Sequence, residues 1–310
     1  MSELDVAFAP VPVPLEERDE ILPVVDDDTV VAVPVGRRNP RSRAYLLRRP
    51  ALVLAAIWIL AVTVAALAPS LLTSYGPLEV APADRLQPPS WTHLFGTDQL
   101  GRDLFARTVY GSRLSVLSAI IAVAVGLVVG GALGLVAGFA RGWLDDAVMR
   151  VVDVVLAIPA LLLSLALITV LGFGTTNVAI AVGIASVAAC ARIMRSEVLR
   201  VRQSTFVEAA HANGVRWSGV LVRHVLPNSV GPLLVLVALE FGTAILAISS
   251  LSFLGYGTKP PTPEWGSLVA SGRDFLREAW WLTIMPGLVV AATVLAANRI
   301  SRAVDQIRGH

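Results

Sequence analysis

The chain has 310 residues, of which 55% are apolar and only 15% are charged, and its formal net charge is +2. Soluble globular domains carry about 25% charged residues, so this composition indicates a membrane protein rather than a soluble enzyme. The single cysteine, Cys190, excludes an intrachain disulfide and is interpreted as a small packing residue.

The first predicted element is a cytoplasmic tail at residues 1–43, which is acidic at first and basic toward its end. Its content of Val, Pro, Asp and Glu is typical of a disordered segment and does not match a cleavable signal peptide. A basic cluster, RRNPRSRAYLLRRP, follows at 37–50 and leads into the first apolar run.

Six apolar stretches are each long enough for a membrane span, which takes about 20 residues per helix. They lie at 51–72, 115–139, 154–172, 177–194, 230–255 and 281–298. Prolines in these runs are tolerated better than in soluble helices. The predicted fold class is an all-α polytopic membrane protein with six transmembrane helices. The first helix and its outer loop occupy 44–110, and a core of five spans occupies 111–305.

The distribution of positive charge predicts the orientation of the chain in the membrane. If the N-terminus is cytoplasmic, eighteen of the 25 Lys and Arg residues lie on the inner side and seven on the outer side. Cytoplasmic loops carry an excess of Lys and Arg, so both termini are predicted to be cytoplasmic.

Several kinds of site are missing from the sequence. Lys259 is the only lysine, and its surroundings, GYGTKPP, do not form a phosphate-binding P-loop. The four histidines have no metal-ligand spacing, and there is no G-x-S-x-G elbow. We therefore expect no catalytic residue, cofactor or metal in this chain, and no enzymatic activity. Glu240 lies near the middle of a span, either as a coupling group of a proton-driven carrier or facing a packed interior or polar cavity.

One polar, basic stretch, TFVEAAHANGVRWSGVLVRHVLPN at 205–228, interrupts the apolar runs. Apolar or small residues recur in it at steps of three and four, which predicts one amphipathic helix over 205–224. Thr205 and Glu208 have the spacing of a capping box, and Pro227 is expected to end the helix. The pattern alone allows a helix that docks on a partner or one that rests on lipid.

This stretch resembles the EAA loop of ABC-importer permeases, whose pattern is E-A-A, three residues, G and a distal L-P. The matching residues are Glu208, Ala209, Ala210, Gly214, Leu226 and Pro227. The resemblance implies the type I ABC-importer permease fold. It also implies that these residues form a coupling helix that docks on a cytoplasmic ATPase, so that ATP and Mg are bound by partner subunits.

A second stretch, HLFGTDQLGRDLFARTVYGSRLS at 93–115, resembles the segment before span two in the C-type permease of dipeptide and oligopeptide importers, the peptide/nickel family. The matching residues of this outer-loop motif are Gly96, Thr97, Asp98, Gly101, Arg102 and Asp103. Asp98 is expected to cap a short helix. The motif is either a rigid strap that orients span two or a direct contact with substrate or binding protein. The resemblance extends over roughly 40–305, but ANRISRAVDQ near the C-terminus lacks the family's Gly-Asp pair.

The resemblance implies a subunit that imports di- or oligopeptides by alternating access across a bacterial plasma membrane. Its implied partners are a second, B-type permease, one or two cytoplasmic ATPase subunits and an extracytoplasmic substrate-binding protein, and no nucleic acid. Nickel chelates, opines or glutathione are alternative cargoes on the same scaffold. A proton-coupled secondary transporter that relies on Glu240 and a non-transporting membrane anchor or receptor are the remaining alternatives.

Overall fold

The computed structural model describes residues 21–26, 29–34, 50–140 and 142–308, which belong to two units, Met1–Arg48 and Arg49–His310. In the first unit, strands β1 (Ile21–Asp26) and β2 (Thr29–Pro34) pair in antiparallel register. Both strands are rich in valine, which favours extended backbone. The structure differs here from the disordered tail predicted for 1–43. The other residues of this tail, and residues 37–49 of the basic cluster, lie outside the described part of the chain.

The described residues of the second unit form helices joined by turns. The α-helices are α1 (Pro50–Leu67), α2 (Leu104–Ala140), α3 (Trp143–Leu156), α4 (Ala160–Leu171), α5 (Thr175–Arg202), α6 (Thr205–Ala212), α7 (Trp217–Val220), α8 (Leu226–Phe253), α9 (Trp265–Gly272) and α10 (Trp281–Arg308). A π-helical turn, Leu221–Val225, joins α7 to α8, and short 3₁₀ turns lie at Pro69–Leu71, Pro82–Asp84 and Arg273–Phe275. The predicted all-α class is confirmed for this unit.

Five of these helices are long and apolar enough to cross a membrane: α1, α2, α5, most of α8 and α10. The predicted span at 154–172 is not one continuous helix, because α3 and α4 meet at a 96° bend. Pro159 causes this break, since it precedes α4 in extended backbone and a proline cannot continue the hydrogen bonding of a helix. Since α4 has 12 residues, about 18 Å, it is too short to cross a bilayer alone.

Helices α2 and α5 pack with their backbones in close contact. Four glycines at four-residue spacing line this side of α2: Gly126, Gly130, Gly134 and Gly138. A Cβ on Gly130 would lie 2.5 Å from the carbonyl oxygen of Val187, and one on Gly134 would lie 2.3 Å from that of Ala191. Small residues at this spacing let membrane helices approach closely, so the stripe fixes the central helix pair.

Helix α2 has 37 residues, about 55 Å, and therefore runs between two ends of the second unit. At its beginning, Leu104 packs in an apolar cluster with Trp281 and Leu282 of α10. Near its last residue, Phe139 packs in another cluster with Val198 of α5 and Val207 of α6. These two ends, called the Leu104 end and the Phe139 end below, carry the two sequence motifs.

Two ion pairs connect α3 to α5 near the Phe139 end. The guanidinium of Arg195 donates to both carboxylate oxygens of Asp145, at 2.6 and 2.7 Å. Arg192 pairs with Asp153 at 2.5 Å, but both side chains are more than half exposed, so this second pair contributes little stability. The buried Asp145 carboxylate is thus the firmer attachment of the bent segment.

Candidate functional site

Helix α6 carries the first part of the EAA segment, residues 205–228, and lies at the Phe139 end. Val207 and Ala210 are buried in the cluster around Phe139, whereas Glu208 and Ala209 are exposed. The apolar face of α6 therefore attaches the helix to the unit. The opposite face presents a carboxylate and small residues that another surface can approach closely.

The prediction of one continuous helix over 205–224 is wrong, because α6 ends at Ala212. Gly214 has a φ of +75°, and the backbone N–H of Val215 donates to the carbonyl oxygen of Ala210 at 3.1 Å. This is the Schellman termination, in which a glycine in the left-handed conformation ends a helix. A Cβ on Gly214 would meet nothing within 4 Å, so the backbone conformation, not lack of space, requires glycine here.

The chain after the Gly214 turn becomes helical again without a further break. Helix α7, the π-helical turn and α8 follow one another directly, and Leu221 and Leu226 both have helical backbone angles. Pro227 was predicted to end a helix. It instead lies in the first turn of α8, where a missing N–H is tolerated. Leu226 packs against the Phe139 cluster and Pro227 is exposed.

The predicted capping box is not formed within the described part of the chain. The backbone N–H groups of Val207 and Glu208 both donate to the carbonyl oxygen of Ser204, at 3.0 and 3.2 Å, and this closes the first turn. The side chains of Thr205 and Glu208 make no hydrogen bond with the described residues. The Glu208 carboxylate is consequently free for an outside partner.

The end of α2 contacts both the EAA segment and the end of α5. The ring of Trp217 lies 4.3 Å from the ring of Phe139, centroid to centroid. Arg202, the last residue of α5, donates from Nη1 to the carbonyl oxygen of Phe139 at 2.8 Å, and its guanidinium lies 5.7 Å from the same ring. A displacement of the EAA segment would therefore be transmitted directly to α2 and α5.

The outer-loop motif lies at the Leu104 end, opposite the EAA segment, and its polar side chains are buried. The Asp98 carboxylate accepts hydrogen bonds from the backbone N–H groups of Leu100 and Arg102, at 2.8 and 3.0 Å, and from Nε of Arg102 at 2.7 Å. Arg107 lies 3.6 Å from the same carboxylate. Asp98 thus closes a turn and pairs with two buried arginines. The prediction that it caps a helix is wrong.

Asp103 provides the cap of α2 instead. One of its carboxylate oxygens accepts from the backbone N–H of Ala106 at 2.6 Å, and the other lies 2.9 Å from Nδ1 of His93. The indole N–H of Trp281 in α10 donates to the carbonyl oxygen of Thr97 at 3.2 Å. These contacts bind the loop to α2 and α10.

Two glycines of this motif are required by the turns of the loop. Gly96 and Gly101 have φ values of +74° and +75°, and a Cβ on Gly101 would lie 1.8 Å from the carbonyl oxygen of Ala81. As whole residues, Thr97, Asp98, Arg102 and Asp103 are at most 7% exposed, so little of their surface can reach cargo. This burial supports the interpretation of the motif as a strap that orients α2.

Sequence reasoning did not identify Glu264, which is fully buried and caps α9. Its carboxylate accepts from the backbone N–H groups of Gly266 and Ser267, both at 3.0 Å, and from the Ser115 hydroxyl of α2 at 3.3 Å. Burial raises the pKa of the Glu264 carboxyl above its ordinary value. An acidic residue directly before the helix-like stretch WGSLVASG was the available signal.

Comparison with known proteins connects the larger part of the chain to one family. The model of the binding-protein-dependent transport system inner membrane component matches residues 130–308, a range that contains the whole EAA segment. The chain belongs to this family. Its members are membrane components of transport systems, so this chain is a permease subunit.

Relatives of the permease with curated names support the predicted resemblance to peptide-importer permeases. The dipeptide transport system permease protein of Alkalihalophilus pseudofirmus is 42% identical over 230 residues, which cover 74% of this chain and 76% of that protein. The glutathione transport system permease protein of Pectobacterium atrosepticum is 38% identical over 280 residues, covering 89% of this chain and 91% of that protein. The resemblance noted from the two motifs is therefore confirmed.

Solved structures support the fold of the permease. The chain of the MetNI methionine ABC transporter in inward facing conformations aligns with a TM-score of 0.51 at 17% identity, covering 64% of the permease and 96% of that chain. A chain of an amino acid ABC transporter aligns with a TM-score of 0.50 at 16% identity. The likeness extends over nearly the whole of the first matched chain and concerns the arrangement of helices.

The permease also contains a cavity of about 300 Å³ between α2, α4, α5 and α8. Glu240 of α8 lines it, together with the hydroxyl-bearing residues Ser164, Ser186 and Thr243. The Glu240 carboxylate makes no hydrogen bond or ion pair with the described residues. Glu240 therefore lines a cavity whose other walls are mainly Ala, Val and Leu side chains, with three hydroxyl groups among them.

Proposed function

We propose that this permease subunit carries di- and oligopeptides into the cell across a bacterial plasma membrane, as one half of the membrane pathway of an ABC importer. The observation that carries the proposal is the 42% identity to a dipeptide transport system permease protein over 74% of the chain. An EAA segment with an exposed Glu208–Ala209 face gives independent support, because it supplies the docking surface that an ATP-driven importer requires.

The proposed topology has six membrane spans with both termini in the cytoplasm. Five long apolar helices and the bent pair α3–α4 supply enough apolar length for it. The excess of Lys and Arg on the proposed inner side, eighteen against seven, supports the orientation. In this orientation the EAA segment faces the cytoplasm, and the outer-loop motif faces the opposite compartment.

The proposed partners are a second, B-type permease, one or two cytoplasmic ATPase subunits and an extracytoplasmic binding protein that delivers the cargo. The absence of a P-loop from the sequence supports assigning ATP and Mg to the ATPase subunits. A partner ATPase would approach the Phe139 end, where Glu208, Ala209 and Gly214 are exposed.

In the proposed mechanism, ATP binding closes the ATPase subunits and displaces the EAA segment. The contacts of Val207 and Ala210 with the Phe139 cluster, and of Trp217 with Phe139, would carry this displacement to α2 and α5. Closure can favour one arrangement of the spans only if the ATPase contacts differ between the inward-open and outward-open states. Repeated closure and reopening would then expose the pathway alternately to each side.

Glutathione is a second candidate cargo, because a glutathione transport system permease protein is 38% identical over 89% of this chain. Glutathione is itself a tripeptide with a free ammonium group, so both cargoes present similar chemistry to the pathway. The two candidates differ mainly in what the binding protein must recognise.

The test begins with a tagged permease extracted gently from its native membrane, followed by identification of the proteins that co-purify with it. The recovered complex is reconstituted into vesicles, and uptake of a labelled dipeptide and of labelled glutathione is compared with and without ATP. ATP-dependent uptake of the dipeptide that persists with a proton uncoupler supports the proposal. A permease recovered alone, or uptake that the uncoupler abolishes, contradicts it.

A further inference from the structure

The cavity lined by Glu240 presents hydrogen-bond acceptors to whatever enters it. The hydroxyl hydrogens of Ser164, Ser186 and Thr243 are directed at helix carbonyl oxygens, at 2.8 Å, 2.9 Å and 2.9 Å. A hydroxyl that donates in this way retains lone pairs that can accept. The rest of the lining is mainly Ala, Val and Leu, so the carboxylate and these hydroxyls form a small polar spot that suits one N–H-bearing, positively charged group.

No positive group neutralises Glu240 within this site. None of the residues that line the cavity is Lys, Arg or His. Among the described residues the carboxylate has no ion-pair partner, whereas Asp153 near the Phe139 end is paired with Arg192 at 2.5 Å. An unpaired carboxylate in the middle of a span is costly, and such residues face a cavity or a transport pathway. A cationic occupant would offset that cost.

We propose that this cavity receives a primary ammonium group of the cargo during translocation. This group is assigned to the α-amino end of the peptide, an assignment that rests on the proposed peptide cargo. A free α-amino group has a pKa of about 7.7–8.0 and is therefore mainly protonated at neutral pH. The volume of about 300 Å³ is at the small end for ligand pockets, so it accommodates the amino-terminal part of a peptide and not a long chain.

The position of the cavity between α2, α4, α5 and α8 suits a transient site. Helix α4 follows the 96° bend, and α2 and α5 receive the contacts of the EAA segment, so movement of these helices would reshape the cavity. Glu240 would then hold the ammonium group in one arrangement of the spans and release it in the other. The proposal thus names Glu240 as a binding residue of the permease and not as a proton-coupling group.

The proposal is tested by the charge preference of a thiol placed in the cavity of the purified complex. Ala247 lines the cavity two helical turns after Glu240, and Cys190 is the only cysteine of this chain, so labelling is read on the separated permease subunit. In an Ala247→Cys, Cys190→Ala background, labelling rates are measured for 2-aminoethyl methanethiosulfonate and for the neutral 2-hydroxyethyl reagent of similar size. The same ratio at Ser74→Cys, an exposed position outside the spans, corrects for intrinsic reactivity.

We expect the corrected ratio to favour the cationic reagent by about tenfold. This is the order of magnitude that attraction between two unit charges produces at an intermediate dielectric constant. Glu240→Gln should remove the preference and Glu240→Asp should keep most of it. Equal ratios with and without Glu240→Gln would overturn the proposed ammonium site whatever the cargo is.

The cargo is tested separately in the reconstituted complex. We expect a transported dipeptide to slow labelling of the introduced thiol in the presence of ATP, and Glu240→Gln to reduce dipeptide uptake about tenfold with the subunits still assembled. A charge preference that depends on Glu240, without any dipeptide uptake, would support the ammonium site and count against the peptide cargo alone. Full dipeptide uptake by the Glu240→Gln complex would overturn the binding role of Glu240.

Discussion

The indole ring of Trp217 lies 4.3 Å from the ring of Phe139, so the segment after the Gly214 turn touches the last turn of α2. Arg202 at the end of α5 contacts the same phenylalanine through its carbonyl oxygen and its ring. Phe139 is therefore the residue at which the EAA segment, α2 and α5 meet, and it would provide a short mechanical path from the proposed docking surface to the spans.

Trp217→Ala should weaken the coupling between ATP hydrolysis and transport. An aromatic pair contributes about 0.5–1.5 kcal/mol beyond its buried area, so we expect about two- to tenfold less cargo transported per ATP hydrolysed. Uptake and hydrolysis are measured together in reconstituted vesicles. Val222→Ala, an exposed position five residues further on, is the matched control. An unchanged ratio in Trp217→Ala would contradict the path through Phe139.

Ala209→Trp should prevent docking of the ATPase without disturbing the permease itself. Ala209 is exposed within α6, so a large side chain there does not clash with this chain. It does fill the face proposed for the partner. We expect the ATPase to be lost from the purified complex. Gly214→Asn is the control for the turn, because asparagine tolerates positive φ and adds little bulk.

Gly214→Trp combines both effects, since it places a bulky residue in a left-handed conformation that costs about 1–2 kcal/mol. It should therefore lose the ATPase as well, with a lower unfolding temperature than Ala209→Trp. Recovery of the ATPase with Ala209→Trp would show that this face of α6 is not the docking surface.

Glu208→Ala separates a docking role from a helix-capping role. Loss of a helix cap costs about 0.5–2 kcal/mol, but the Glu208 carboxylate makes no capping bond among the described residues. We expect the unfolding temperature to stay unchanged and ATP-dependent uptake to fall. Ser204→Ala, beside the first turn of α6, serves as the comparison for local stability. A fall in unfolding temperature without a change in uptake would instead assign Glu208 to the stability of the helix.

Much of the fold follows from the apolar runs, because a bilayer imposes a minimum length on each span and excludes charge from it. The EAA helix was predicted too long for a physical reason. Apolar or small residues continue at steps of three and four across Gly214. Their periodicity does not show that Gly214 itself adopts a φ of +75°. Likewise, hydropathy does not reveal the 96° bend at Pro159 within an uninterrupted apolar run.

The polar contacts could not be predicted because their partners are distant in sequence. Ser115 meets Glu264, and Trp281 meets Thr97, only after the helices have packed. The glycine stripe of α2 is different, since its four-residue spacing is visible in the sequence and indicates a close helix pair. The identity of its partner, α5, still depends on the tertiary fold.

Asp98→Asn should destabilise the permease through its buried arginines. The side chains of Asp98 and Arg102 are at most 9% exposed, and removing one partner of a buried ion pair costs about 3–5 kcal/mol. We expect a clear drop in the unfolding temperature of the purified complex. Asp274→Asn removes an exposed partner of Arg273 and should change the unfolding temperature little. Impaired cargo delivery without a drop in unfolding temperature would favour direct contact of the outer-loop motif with substrate or binding protein.

Glu264→Gln should change how the stability of the permease depends on pH. Burial raises the pKa of the Glu264 carboxyl, so the folded chain holds this proton more tightly than the unfolded chain does. The contribution of Glu264 to stability is therefore greatest below the ordinary pKa of 4.5 and declines as pH rises toward the raised value. Glutamine cannot titrate, so wild type should lose stability relative to the variant over this range.

The measurement is the unfolding temperature of both proteins at several pH values from 4.5 to 7.5, read as the difference between wild type and Glu264→Gln. Taking the difference cancels the carboxylates that the two proteins share. Glu278→Gln, at an exposed position between α9 and α10, is the matched control. If wild type instead gains stability relative to Glu264→Gln as pH rises, the hydrogen bonds from Gly266 and Ser267 outweigh burial and hold the carboxylate ionised.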